Sequence, residues 1–200
     1  MTTTIEKGKL TRERIIRVAA ELFRKNGFHN TSLSKILKEA QLTKGGFYFH
    51  FKSKEELGDA VIDYIREFWV HNVLEEVAKE KGALRKIERM FEIMIETHQN
   101  DIFHGIALLA VLTAEMMEVE ERFSNKLRHI YMAWKASIVE ILEQGKREGL
   151  FKEWMEPDPL ALLIIGSLQG ITIMAHLDPE NMDLSGLFRN LQGLLLEGAN

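Results

Sequence analysis

Thr31-Ser32-Leu33-Ser34-Lys35-Ile36-Leu37-Lys38-Glu39-Ala40, then Gln41-Leu42-Thr43, then Lys44-Gly45-Gly46-Phe47-Tyr48-Phe49-His50-Phe51, is the stretch whose reading decides the fold. The first block has apolar residues at helical spacing, and Thr31 and Ser32 are both candidate N-caps. Three residues separate it from a second short helical block. Two helices joined by a turn of three or four residues make a helix-turn-helix. Such a motif presents the start of its second helix to a DNA major groove. That start is Lys44-Gly45-Gly46, which is polar and small enough to let a backbone approach a partner closely. Leu33, Ile36, Leu37, Leu42, Phe47 and Phe51 are the set expected to hold the motif together, and Phe49 is assigned to the core with them.

On the N-terminal side, Thr11 to Asn26 has helical periodicity, with Thr11 as a partial cap and Gly27 at the left-handed position that ends a helix. On the other side, Ser53 and Glu56 form a capping box for a helix expected to run to about Lys79. Helices are expected next over about 83–99, 104–117, 120–148, 159–176 and 184–197, with a loop over 149–159. Nine helices and no period-2 alternation make the chain all-α.

Charge divides the chain in the same place. Residues 1–54 carry a balance of +8, and residues 55–200 one of −12, within a net charge of −4. A basic head on an acidic body is the asymmetry expected of a protein that meets a polyanion at one end. The reading is therefore a helix-turn-helix domain over 1–54 and a helical sensing and dimerisation domain over 55–200.

Several residues carry a family resemblance: Gly27, Phe28, Thr31-Ser32-Leu33, Ile36, Ala40, Lys44-Gly45, Phe47-Tyr48, His50-Phe51 and Lys52-Ser53-Lys54-Glu55-Glu56-Leu57. Together they resemble the DNA-binding domain of the TetR family over about residues 10–57. The resemblance implies a ligand-responsive repressor of a palindromic operator, working as a homodimer without a cofactor. It places Lys44, Gly45, Gly46 and Tyr48 at the recognition helix, and Thr31, Ser32, Ser34, His50 and Lys54 at or near phosphates. Lys44 can reach a guanine edge or a phosphate, and Lys54 adds a charge-assisted phosphate contact. The free N–H groups that start the Lys54 helix favour the same anion. Gln41 stands where the family usually has glycine, so it must tolerate an unusual backbone angle. Gly46 replaces a residue that is often polar in the family.

A recognition helix alone reads few base pairs, so a dimer is expected. Leu184, Leu187, Phe188, Leu191 and Leu195 form an apolar stripe, and Leu163, Gly166 and Gly170 lie on a helix that is apolar almost all round. These are the expected dimer face, built as a four-helix bundle. The middle helices are rich in methionine and aromatics. Trp69, Phe91, Met94, Phe103, Met116 and Trp134, with His98 and Gln169 as polar groups, are the expected lining of a site for a small hydrophobic effector.

Other classes fit less well. There is no cysteine, no His-Glu-x-x-His, no glycine-rich phosphate loop and no Gly-x-Ser-x-Gly, which argues against an enzyme. Residues 1–9 have no apolar signal region, and a reducing cytoplasm fits the composition. Leu160 to Leu177 is long enough to raise a membrane span, but Ser167, Gln169, Thr172 and His176 interrupt it. The alternatives are a transcriptional activator and a helical protein-interaction module without small-molecule sensing.

Overall fold

The computed structural model describes residues 4–99, 105–116, 121–178 and 180–197. Among them are nine helices and no strand. They are α1 (Thr4–Asn26), α2 (Leu33–Glu39), α3 (Lys44–His50), α4, α5 (Ala83–Gln99), α6 (Gly105–Met116), α7 (Glu121–Arg147), α8 (Pro157–Leu177) and α9 (Leu184–Glu197). Helix α4 begins as Lys54–Trp69, passes through a π-helical turn at Val70–Leu74 and resumes as Glu75–Ala78. The chain forms two compact units, Met1–Arg66 with Leu108–Leu127, and Glu67–Ala107 with Arg128–Asn200.

In the first unit, α1 starts seven residues before the expected cap at Thr11. Nothing in Thr4–Leu10 breaks a helix outright, since Gly8 alone costs only about 1 kcal/mol. Thr11 is interior, and its hydroxyl donates back to the Lys7 carbonyl at 2.9 Å. Ile15, Ala19 and Phe23 bury one face of α1 completely. Gly27 ends the helix at φ +81°, its N–H bonded to the Phe23 carbonyl at 2.8 Å.

Three side-chain caps start the next helices. Ser32 accepts from the Lys35 N–H at 3.2 Å, Thr43 from Gly46 at 3.1 Å and Ser53 from Glu56 at 3.1 Å. Each cap is worth about 1 kcal/mol. The Glu56 carboxylate reaches back to the N–H of Lys52 rather than that of Ser53, at 2.6 Å. Gln41 has φ +51°, the left-handed angle that its replacement of glycine requires.

In the second unit, the first N–H of α5, on Ala83, is satisfied by the Glu148 carboxylate at 2.8 Å, just past the end of α7. Phe91, Met94, Trp134, Ile138, Ile165 and Leu168 are buried in this unit. Helix α8 begins at Pro157, shortening the expected loop, because proline suits a first helical position where its missing N–H is not needed. Phe151 and Met155, in the connection before it, are buried.

Helix α9 packs on α5 and α8. That packing corrects part of the expected dimer face. Leu184, Phe188 and Leu195 are 4%, 2% and 7% exposed and belong to the core of their own chain. Each such burial stabilises the fold by about 2 kcal/mol. Leu187 and Leu191 are half-buried. Helix α8 turns Ala161, Ile164, Ile165 and Leu168 inward and leaves Leu162, Leu163, Ile173 and Met174 in the open. The segment Pro157–Met174 is long and apolar enough to cross a membrane by length and composition. Its inner side is nonetheless part of this unit's core.

Candidate nucleic-acid interface

The site is built on α3, held from behind by Phe47 and Phe51. Phe47 lies within α3 and Phe51 is its C-cap, four residues on, and the two are 0% and 1% exposed. Their rings sit 5.7 Å apart. The opposite face then has to point outward. Lys44 and Gly45 are exposed, Gly46 is half-buried and Tyr48 is 47% exposed. A Cβ added at Gly45 would meet nothing within 4 Å, so its backbone stands in open space. Phe49 does not join the core. It is 82% exposed, because it lies two residues from both Phe47 and Phe51 and so projects from the other side. That spacing was the available signal for its position.

Around α3, Ser34 is exposed, and Ser32 is exposed but uses its hydroxyl as the cap of α2. Thr31 is a correction. Its side chain is completely buried, and its hydroxyl lies 2.7 Å from the Gly27 carbonyl and 3.2 Å from that of Leu22. It pins the α1–α2 connection and cannot reach a phosphate. His50 is half-buried with its ring edge-on to Phe49. Burial, and then the Arg12 charge, push its pKa below the ordinary histidine value. The Arg12 guanidinium lies over Phe51 at 5.0 Å.

Lys54 is also more engaged than a free surface lysine. Its ammonium sits 4.4 Å over the Phe28 ring and 3.5 Å from the His29 carbonyl. Burial lowers its pKa, against the opposing charges of Glu55 and Glu115. Glu115 of α6 is the brace of this corner. It accepts from the His29 N–H at 3.0 Å, and a Cβ on Gly27 would lie 2.1 Å from its carboxylate. A second clamp joins α7 to α4, where Lys126 bonds Asp59 at 2.8 Å and Asp63 at 2.7 Å. Burial works against the Lys126 charge, but the two carboxylates outweigh it and raise its pKa.

A further basic concavity of about 640 Å³ lies beside α1 and α2, lined by Arg14, Arg17, Lys25 and Lys35 among others. Sequence reading did not single it out, since its residues come from two helices and share no motif.

The expected effector residues fall in different places. Trp69, Phe91, Met94 and Trp134 are buried in the second unit, and Gln169 there is half-buried. The Trp69 and Trp134 rings are in contact, with centroids 4.7 Å apart. Met116 is wholly buried in the first unit, where its methyl lies so close to Gly58 that an added Cβ would sit 2.8 Å from it. Phe103 and the His98 side chain lie outside the described residues. Leu163, Gly166 and Gly170, from the expected dimer face, are exposed on α8.

A capped helix-turn-helix carried on an all-helical chain defines a DNA-binding regulator of transcription. Comparison with known proteins gives its family. The model for bacterial regulatory proteins of the tetR family matches residues 15–61, and that for the tetracyclin repressor-like C-terminal domain matches residues 83–189. The chain belongs to the TetR family of transcriptional regulators and is not an enzyme. It is 29% identical to the HTH-type transcriptional regulator UidR of Escherichia coli K12 over 185 residues, covering 92% of this chain and 89% of that one. It is 23% identical to the fatty acid metabolism regulator protein of Bacillus subtilis, covering 92% and 93%. Among solved structures it superposes on a TetR transcriptional regulator from Chloroflexus aurantiacus with a TM-score of 0.81 at 26% identity, covering 94% and 96%.

Proposed function

We propose that this chain is a homodimeric repressor of a palindromic operator, released by a small apolar effector. In this reading residues 1–54 form the DNA-binding head and residues 55–200 sense the effector and dimerise. The outward face of α3 carries the proposal: Lys44, Gly45 and Tyr48 stand exposed while Phe47 and Phe51 anchor the helix. Lys44 contacts a guanine edge or a phosphate, Tyr48 offers a hydroxyl to phosphate, and Gly46 lets the backbone approach. Ser32, Ser34, His50 and Lys54 lie along the phosphate path.

The dimer face is the outer side of α8, with Leu162, Leu163, Ile173 and Met174 around Gly166 and Gly170. Open apolar surface of this kind supports pairing with a second copy. The fatty acid metabolism regulator among the relatives, with the apolar core of the second unit, supports an apolar effector. Helix α4 runs from Lys54 beside the head to Ala78 in the second unit. An effector that prefers one arrangement of α4 shifts the spacing of the two heads and breaks simultaneous docking.

The test begins with selection of an operator from random duplexes by the full-length chain. A two-fold symmetric sequence bound by two copies supports the reading. Failure to enrich any sequence in dilute salt contradicts it. A compound library is then screened for release of that operator, and failure of every compound overturns the effector half.

A further inference from the structure

Trp69 and Trp134 are 5% and 3% exposed, and their rings lie against one another at 37°. Among the described residues, neither indole N–H has a hydrogen-bond partner. An indole nitrogen can only donate, and buried donors in folded proteins nearly always find an acceptor. Two such donors in one tilted ring pair therefore point to an acceptor that arrives with a ligand. Trp69 also ends the α-helical part of α4, directly before the π-helical turn at Val70–Leu74. Turns of this kind recur at functional sites. Tyr131 continues the aromatic shelf, stacked 6.4 Å from Trp134, and its hydroxyl accepts from the Gln169 amide.

We infer that the Trp69–Trp134 pair is the polar anchor of the effector site, and that it takes an uncharged carbonyl oxygen carried on an apolar molecule. This rests on the proposed effector control. The ligand has to supply an acceptor because the pair supplies only donors. It has to be otherwise apolar because the described buried residues of this unit are all apolar. A carboxylate fits less well, since two neutral donors do not compensate a buried charge and no cation is buried among the described residues here. Ketones and esters meet both conditions.

The test uses the full-length protein labelled with ¹⁵N-tryptophan. The chain has three tryptophans, so W69F, W134F and W154F assign the three indole resonances. The probes are acetophenone, 2-octanone and methyl octanoate, with ethylbenzene as the hydrocarbon matched to acetophenone. The carbonyl probes are expected to move the Trp69 and Trp134 N–H signals downfield and to leave exposed Trp154 in place. W69F and W134F, which keep a ring but lose a donor, should each weaken acetophenone binding about tenfold and leave ethylbenzene binding unchanged. Indole signals unmoved by every carbonyl probe overturn the inference. So does an equal loss of both matched probes in the variants. Operator release by a compound that leaves both indole signals unchanged defeats this anchor while sparing effector control. Carbonyl binding at the pair without any operator release does the reverse.

Discussion

Helices α3 and α8 both hold large apolar side chains out to solvent, and the company those side chains keep is different. On α3, Tyr48 and Phe49 stand beside Lys44 and two glycines, on a short helix whose back is locked by Phe47 and Phe51. On α8, Leu162, Leu163, Ile173 and Met174 stand around Gly166 and Gly170, with Asp158 the one charged residue of the helix. An exposed ring beside a lysine suits a polyanion with apolar patches, such as the methyl groups in a DNA groove. Exposed aliphatic groups without charge suit an identical surface. The same bare hydrophobicity thus points to two different partners, and charge context is what separates them.

Substitutions on the two helices should break this contrast in different ways. Leu163→Arg places a charge in the middle of the outer α8 face, where Leu163 is 67% exposed and so contributes little to its own chain's fold. It should yield a folded monomer by sedimentation velocity, with operator affinity down by roughly a hundredfold because each head then binds alone. Lys44→Ala should leave the dimer intact. Its operator affinity should fall about tenfold, and the slope of log affinity against log salt should shrink by about 1 if the contact is to phosphate.

Two substitutions behind the interface sharpen the contrast from the stability side. Thr31→Val removes a buried hydroxyl that bonds backbone carbonyls and should lower unfolding stability by about 1 kcal/mol. It should leave the salt slope of DNA binding unchanged, because Thr31 faces inward. Gln41→Gly relieves a left-handed backbone angle and should raise stability by about 0.5 kcal/mol, read as a small increase in Tm.

Much of the head was legible because its chemistry is local. Ser53 and Glu56 cap a helix through atoms three residues apart, and the positive φ of Gln41 is what its place at a position usually held by glycine in the resembling family implies. Errors arose where a neighbour in space decides the outcome. Thr31 and Ser32 are both plausible caps, and only the approach of α1 shows that Thr31 turns inward to the Leu22 and Gly27 carbonyls. The type of Phe49 suggests core, although its spacing from Phe47 and Phe51 opposes that.

The body was legible as helices but less so as surfaces. The stripe of Leu184, Phe188 and Leu195 has to be covered, yet periodicity does not say whether a second copy or the same chain covers it. Here α9 packs on α5 and α8 of its own chain. Composition alone groups Met116 with Trp69, and its place against Gly58 in the first unit is set by contacts the sequence does not show. The orphaned indole donors of Trp69 and Trp134 had no signature in the sequence, because satisfaction of a buried group depends on everything around it.

Hydroxyl-radical footprinting of the selected operator with the full-length chain tests the central claim most directly. Two protected patches on one face of the duplex, separated by about 34–36 Å or a multiple of it, are the predicted result. A single continuous patch, or protection that is the same on random duplex, would contradict it.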